Sequence, residues 1–383
     1  MKIAQITTST SGGAGLAAVR LSDALNVVSQ ESTVVTQRTK DSGTSYKSKA
    51  ISLLQSQLVQ KGPELVTTFS STLIGTESFK NYDILHFHGI YNLISIADLM
   101  KLAKERRIVI TLHDQRLLTG GCHYSQECTQ YTGKCSECPQ VRSVFRKFVE
   151  KEKHRVNDLL LNENVFFISP SNWLADLAEK SLKLGNPIKV IRNPIPETKI
   201  DLTKNLEIDQ ARRNGKFIIG FVAANLNNPL KGLNILIDAI KNIPARTLEK
   251  VHLLLVGKGD IGAELSSISH NVLGTFGSDQ IQNPYSLMDL LVVPSKHDNS
   301  PNVIGESLMA NVRVLGSSNG GIPELLDLFD CPRFDLLDRR GFTEILCREV
   351  TMNLRKDYQS LAKEIFGYES VGKQMVEFYE NIL

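Results

Sequence analysis

Short apolar runs, each closing on a polar or turn residue, recur along the whole chain, with helical spacing between them. "KIAQIT" runs into "TSTSGGAGLAAVRLSDALNVV", where Ala17, Leu21, Ala24, Leu25 and Val28 repeat at helical intervals, so a strand, a glycine loop and a helix are predicted in that order. "STVVT" follows as the next strand, and "YDILHFHG", "RIVITLHD", "VFFISPS" and "IKVIRNP" are four more. None alternates cleanly, which is how parallel strands read when both faces are buried. The pattern is therefore a βαβ series. Ligands of open α/β sheets bind beyond the carboxyl ends of the strands. The polar residues at those ends, His86, His88, His113, Asp114, Ser171 and Asn193, are accordingly expected to line one cleft.

Residues 196–216, "PETKIDLTKNLEIDQARRNGK", are polar and read as a join between domains. A second alternation follows: "FIIGFVA" as strand, "LNILIDAIKNI" as helix, "VHLLLVG" as strand, "NPYSLMD" as a helical piece, "LLVVPS" as strand, "PNVIGESLMAN" as helix and "VRVLGSS" as strand. The predicted fold class is α/β, with two Rossmann-like domains facing across a cleft. Their predicted bounds are 1–195, carrying a cysteine-rich insertion at 120–140, and 196–360. Residues 361–383 contain "KQMVEFYENIL", an amphipathic helix expected to pack back on the first domain.

Composition narrows the function classes. A chain of 383 residues exceeds one comfortable core, and 42% hydrophobic with 22% charged residues describes a globular protein. A net charge of +3 gives no argument for nucleic acid. The amino terminus reads as a strand and turn without the apolar region of a signal peptide, and no apolar run approaches a membrane span. A cytoplasmic location is expected, with any contact at the inner face of the cytoplasmic membrane being peripheral. The basic stretch 142–161, "RSVFRKFVEKEKHRVNDLLL", is either a solvated helix face or a contact with anionic lipid. Residues 45–80 are a candidate for shaping acceptor or membrane contact, and their pattern reads no further.

Four of the six cysteines fall in "CHYSQECTQYTGKCSEC". In a reducing cytosol such a cluster suggests metal before disulfides. Cys135-x2-Cys138 has zinc-knuckle spacing, whereas Cys122-x5-Cys128 is wider than usual. Two readings stand side by side: a structural zinc or iron site, in which His123 could replace one cysteine, and a set of packed thiols.

The stretch "PSKHDNSPNVIGESLMA" places Asp298 and Glu306 eight positions apart with a helix start between them. Ser300 suits the N-cap and Pro301 the first helical position. The leading N–H groups of residues 301–304 would then form an anion site between two carboxylates. A phosphate carrying a hydroxyl-rich group fits that combination.

Together these motifs resemble those of the retaining glycosyltransferases of family 4, which have the GT-B fold. The resemblance spans nearly the whole chain and rests on "GGAG", "TLHD", "IRNPIP", "LKGLNILIDAI", "LLLVGKGD", "PSKHDNSPNVIGESLMA" and "GGIPELL" in that order. The cysteine segment is similar to an insertion in some bacterial members that build surface polysaccharides. The family signature is Glu-x7-Glu, and Asp298-x7-Glu306 departs from it by one methylene. The resemblance implies that Glu306 holds the ribose hydroxyls of a UDP- or GDP-sugar. It further implies that Asp298 faces the transferred sugar and that the N–H groups of Asn302, Val303 and Ile304 meet the diphosphate. Lys231 matches the donor-phosphate lysine. Asn225 stands where an arginine usually accompanies it, with Arg192 as a candidate replacement. His113 matches a histidine by the sugar's primary hydroxyl, and Gly12, Gly13 and Gly15 match a loop that approaches donor phosphate and acceptor. Glu324 is expected to stabilise the second domain.

The implied reaction moves a sugar, with retention and without a metal cofactor, from a nucleotide diphosphate to a glycan or lipid-linked acceptor. Two other readings are a nucleotide-sugar epimerase or hydrolase of the same fold, and a non-catalytic two-lobe sugar-binding protein.

Overall fold

The computed structural model describes residues 1–36, 79–91, 93–181, 184–197, 206–261, 265–277, 283–352, 354 and 356–383. The stretch 45–80 lies almost wholly outside them, as do residues 198–205 of the join at 196–216. The chain divides into two units, Met1–Asn193 with Val371–Leu383, and Pro194–Ser370. The division falls two residues before the expected boundary. The helix Gln359–Phe366 belongs to the second unit, and of the helix Tyr368–Ile382 the part from Val371 onward returns to the first.

The first unit holds β1 (Lys2–Thr7), β2 (Glu31–Thr36), β3 (Ile84–His88), β4 (Ile108–Thr111), β5 (Val165–Ser169) and β6 (Lys189–Val190). They form one sheet in the order β2-β1-β3-β4-β5-β6, all parallel. One face sends Ala4, Ile6, Leu85, Phe87, Ile108, Ile110 and Phe167 into a core shared with the helices Ile96–Leu102, Arg146–Leu160 and Asn172–Ser181. The apolar side of Arg146–Leu160, including Val156, Leu159 and Leu160, is consumed by this core. Its amphipathic pattern thus reports internal packing, and a lipid-facing role for it loses its apolar face.

The opposite face of the sheet changes character along the strands. Ile3, Ile84, Val109 and Ile168 pack under Leu21 and Leu25 of the helix Gly12–Val27, and under Val371, Met375, Tyr379 and Ile382 of Tyr368–Ile382. Burial of each such side chain contributes about 1.5–3 kcal/mol. The two covering helices approach closely: a Cβ on Gly372 would lie 2.6 Å from the Ala24 carbonyl oxygen. Toward the carboxyl ends the same face carries Gln5, His86, His88 and Thr111, all buried.

The second unit holds β7 (Phe217–Asn225), β8 (Val251–Lys258), β9 (His270–Leu273), β10 (Leu290–Val293), β11 (Arg313–Ser317) and β12 (Arg333–Phe334), ordered β12-β11-β10-β7-β8-β9. The chain runs outward from β7 to β9, then crosses back to start β10 beside β7. That junction is the topological switch point, where open α/β sheets bind ligands. In the first unit the equivalent point lies between β1 and β3. The strands β9 and β12 were not anticipated. The first is an edge strand whose residues are exposed or half-buried, and the second has only two residues, so neither leaves an apolar run. Among the described residues, no helix is long and apolar enough to cross a membrane.

Candidate functional site

The residues singled out in the second half converge on its switch point. β7 ends at Asn225, whose side-chain oxygen accepts the Asn227 amide at 3.0 Å and turns the chain. The loop then reaches Lys231 and Gly232, which precede the helix Leu233–Lys241. Gly232 has φ 77°, and a Cβ there would lie 2.1 Å from the Pro294 carbonyl oxygen. Only glycine meets both demands. The Lys296 amide also donates to the Leu230 carbonyl at 2.8 Å. The loop after β7 is thereby fastened to the loop after β10, and Lys231 Nζ meets Asp298 Oδ2 at 2.5 Å. The Asp298 carboxylate is 12% exposed and the lysine 37%.

The exit of β11 braces the same loop. Ser317 donates its hydroxyl to the Ser295 carbonyl at 2.7 Å, and Asn319 donates to Lys296 at 3.0 Å. The Gly321 amide donates to the Asp298 carbonyl at 3.0 Å. Gly320 has φ 66°, and a Cβ there would sit 2.1 Å from that carbonyl oxygen. The glycines of "GGIPE" are thus a floor under Asp298, while Glu324 lies in the first turn of the helix Ile322–Leu328.

The helix between the acids begins one residue later than expected. Pro301, not Ser300, occupies the N-cap, with ψ 118°, and the helix runs Asn302–Met309 without a side-chain cap. The Ile304 amide donates to the Pro301 carbonyl at 3.0 Å, closing the first turn. Proline has no N–H, so of the four leading positions Asn302 and Val303 are those whose amides head the helix. Glu306, 3% exposed, lies further inside and accepts the hydroxyl of fully buried Tyr285. Tyr285 stands in "NPYSLMD" and was missed. A tyrosine in a mostly buried segment needs a partner for its O–H, and that is the signal that could have found it.

The first unit departs from expectation. His86 and His88 are 0% and 3% exposed and line no cleft. Ser171 is also buried, and its hydroxyl accepts the Leu174 amide at 3.1 Å, at the start of a helix. Sequence shows that these residues end strands but not what covers them. Asp114 accepts the Arg116 amide at 2.8 Å and pairs with the Arg116 guanidinium at 3.5 Å. Arg192 donates to the Pro170 carbonyl at 2.8 Å within the first unit, whereas Lys231 belongs to the second. Half-buried His113 places Nε2 3.0 Å from His88 Nδ1. Burial pushes its imidazole down to about 4, against the pull of the Asp114 carboxylate. Burial also pushes His86 down to about 3. A Cβ on Gly15 would lie 2.1 Å from the Ser9 carbonyl oxygen, and Gly12 has φ 76°, so a tight turn accounts for both. Gly13 has open space around it.

Cys122, Cys128, Cys135 and Cys138 line one small cavity with Thr119, Tyr131 and Val149. A hydrogen bond from the Cys122 thiol, with amides of Gln140 and Val141, holds Cys138 below the usual thiol range against the opposing push of burial. Buried Lys153 stands by Cys135 and donates to the Leu118 carbonyl at 2.7 Å. His123 instead points Nε2 at Asp114, 3.7 Å away. Among the described residues, no three His, Cys, Asp or Glu side chains are arranged to hold a metal ion. A shallow groove between Glu207, Lys216, His252 and Asn271 lies by the start of β8, at the other end of the strands from Lys231.

Residues 216–330 match the family described as "Glycosyl transferases group 1". That span contains Asn225, Lys231, Tyr285, Asp298 and Glu306. The chain is 24% identical over 325 residues to the Escherichia coli K12 protein named "Putative colanic acid biosynthesis glycosyl transferase WcaC", covering 78% of this chain and 75% of that one. Anabaena HepE, solved with UDP-glucose, superposes with a TM-score of 0.64 at 18% identity over 100% of both chains. Sucrose-phosphate synthase of Thermosynechococcus elongatus does so with a TM-score of 0.65 at 15% identity, over 100% of this chain and 99% of that one. Two parallel-sheet α/β units with these neighbours make the fold that of the GT-B glycosyltransferases. The matches together support a glycosyltransferase.

Proposed function

We propose that the protein is a retaining, family 4 glycosyltransferase. It would transfer a sugar from a nucleotide diphosphate to a hydroxyl of a glycan or lipid-linked acceptor in surface-polysaccharide biosynthesis. The observation that carries this is the Lys231–Asp298 pair at the switch point of the second unit, with Glu306 buried behind it and the helix start at Asn302 between. The group 1 match over the same residues supports it, as does the polysaccharide role in the name of WcaC. HepE is described in complexes with UDP-glucose and with UDP, which makes UDP the first nucleotide to try.

In this reading Glu306 grips the ribose hydroxyls, held in place by Tyr285, and Asp298 faces the transferred sugar. Lys231 meets the diphosphate as a compact charge and neutralises it as it leaves, so the step asks for no metal. The acceptor oxygen bonds to the anomeric carbon as the carbon–phosphate oxygen bond breaks. The leaving phosphate takes the acceptor's proton on the same face, which retains configuration. Catalysis is then positioning and charge stabilisation.

Calorimetric titration with UDP, then GDP, beside a Glu306→Ala variant tests the reading. Micromolar binding of one nucleotide, lost in the variant, is expected. Binding of neither would remove the donor site. Equal donor turnover with and without acceptor would indicate an epimerase or hydrolase instead, and tight sugar binding without nucleotide a binding protein. The cysteine segment stands outside this chemistry as a staple for residues 120–140, closed by a structural metal or by packed thiols. Stoichiometric zinc or iron in purified protein separates the two.

A further inference from the structure

A continuous chain of hydrogen bonds crosses the polar end of the first sheet. His113 Nε2 lies 3.0 Å from His88 Nδ1, and His88 Nε2 lies 2.7 Å from Gln5 Oε1. Gln5 Nε2 lies 3.3 Å from the Tyr379 hydroxyl, which lies 2.6 Å from His86 Nδ1. His86 Nε2 then lies 2.7 Å from Thr111 Oγ1. Gln5, His86, His88, Thr111 and Tyr379 are at most 5% exposed, so bulk water does not compete for these bonds.

Proton positions in such a chain are not independent. A neutral imidazole has one N–H and one acceptor nitrogen, and an amide oxygen only accepts. With the Gln5 oxygen toward His88, His88 must donate from Nε2, so its Nδ1 accepts and His113 must carry its proton on Nε2. On the other side the Gln5 amide donates to the Tyr379 oxygen. That hydroxyl donates to His86 Nδ1, and His86 donates from Nε2 to Thr111. All three histidines are therefore Nε2–H tautomers. Turning the Gln5 amide over reverses every proton at once and makes all three Nδ1–H. Reversing His88 or His113 alone sets two donors or two acceptors facing each other, and reversing His86 alone leaves the Tyr379 hydroxyl proton with no acceptor in the chain; in a buried site either is costly.

We propose that Gln5, His88 and Tyr379 are positioning residues that lock His113 as the neutral Nε2–H tautomer, so that Nδ1 is its acceptor nitrogen. This rests on the transferase reading for its use. A hydroxyl of the substrate meeting His113 Nδ1 donates to it, and His113 is no general acid at neutral pH. Burial holds the imidazoles of His86, His88 and His113 below the usual histidine range, in keeping with a neutral chain. Tyr379 lies on the carboxyl-terminal helix, 293 residues from His86, so that helix sets the protonation of a strand-end residue by completing the chain.

Long-range 1H–15N spectra of histidine-labelled full-length protein at neutral pH read the tautomers directly, with His86→Asn, His88→Asn and His113→Asn variants assigning the signals. All three histidines are expected as Nε2–H. A mixed set, or His113 as Nδ1–H, overturns the proposal. In Tyr379→Phe and Gln5→Leu, His113 is expected to become a mixture of tautomers. In Tyr379→Phe, kcat is expected to fall about tenfold, the scale of one lost hydrogen bond to a positioned group, with donor KM nearly unchanged. Unchanged His113 nitrogen shifts in both variants would leave only structural support. UDP titration of the same variants keeps the two readings apart, because the Lys231–Glu306 region is untouched. Absent UDP binding with uniform tautomers sinks the transferase reading and leaves the lock.

Discussion

The carboxyl ends of the two sheets both collect polar side chains, and they handle them differently. In the first unit His86, His88, Gln5 and Thr111 are buried and satisfy one another through Tyr379, with no formal charge needed. In the second unit Lys231 and Asp298 pair side chain to side chain, the lysine partly open to solvent, on loops fastened by close backbone contacts. A polar residue at a strand end is therefore not by itself a ligand-facing residue. What distinguishes the ends is the cover: a returning helix closes one, while at the other loops fastened at Gly232 and Gly320 leave Lys231 partly exposed.

The comparison breaks first at Lys231. Lys231→Ala is expected to lower turnover by on the order of 10²-fold or more, measured as nucleotide release. Near-normal turnover would mean that the charged end does not carry the chemistry. Next is the loop that holds the charge. Gly232→Ala puts a Cβ against the Pro294 carbonyl at positive φ, and should cost about 1–3 kcal/mol in denaturant unfolding. Gly13→Ala, with nothing within 4 Å, should cost far less; equal costs would deny the second unit its tight loop contact. Tyr285→Phe removes the hydroxyl that orients Glu306 and should weaken UDP binding about tenfold. Unchanged affinity in calorimetry would make that tyrosine mere packing.

The smallest effect sharpens the neutral end. Folded His113 and His86 protonate near 4 and 3, and unfolded histidines near the ordinary value of about 6.5. Below that value the unfolded chain binds more protons than the folded one, so stability falls as pH drops from about 6.5 toward 4. Thermal midpoints should therefore be lower at mildly acidic pH than at neutral pH, with a shallower decline in His86→Asn. A decline that His86→Asn leaves unchanged would remove His86 from the account.

Much of the fold was legible because it is written locally. The apolar runs that became β1, β3, β4, β5, β7, β8 and β10 need no partner to be recognised, and helical spacing at Leu21 and Leu25 marks the helix between β1 and β2. β9 and β12 were illegible because an exposed edge and a two-residue strand carry no apolar run. The Asp298–Glu306 spacing was legible too, since both lie on one loop-and-helix segment. The helix start was misplaced by a residue because Ser300 and Pro301 each favour an early turn, and only the backbone shows Pro301 extended.

The sequence alone determined the parallel α/β alternation in two halves, the positions of Lys231 and Asp298 in loops after strands, and that of Glu306 inside the helix that follows Asp298. These follow from periodicity and turn chemistry within a few residues. Tertiary structure decided which polar ends are covered and which charges meet. Lys231 reaches Asp298 across 67 residues, Glu306 finds Tyr285 across 21, and His86 finds Tyr379 across 293. Such pairings depend on how strands are ordered in a sheet and which helix returns to cover it, and no local pattern encodes a partner that far along the chain.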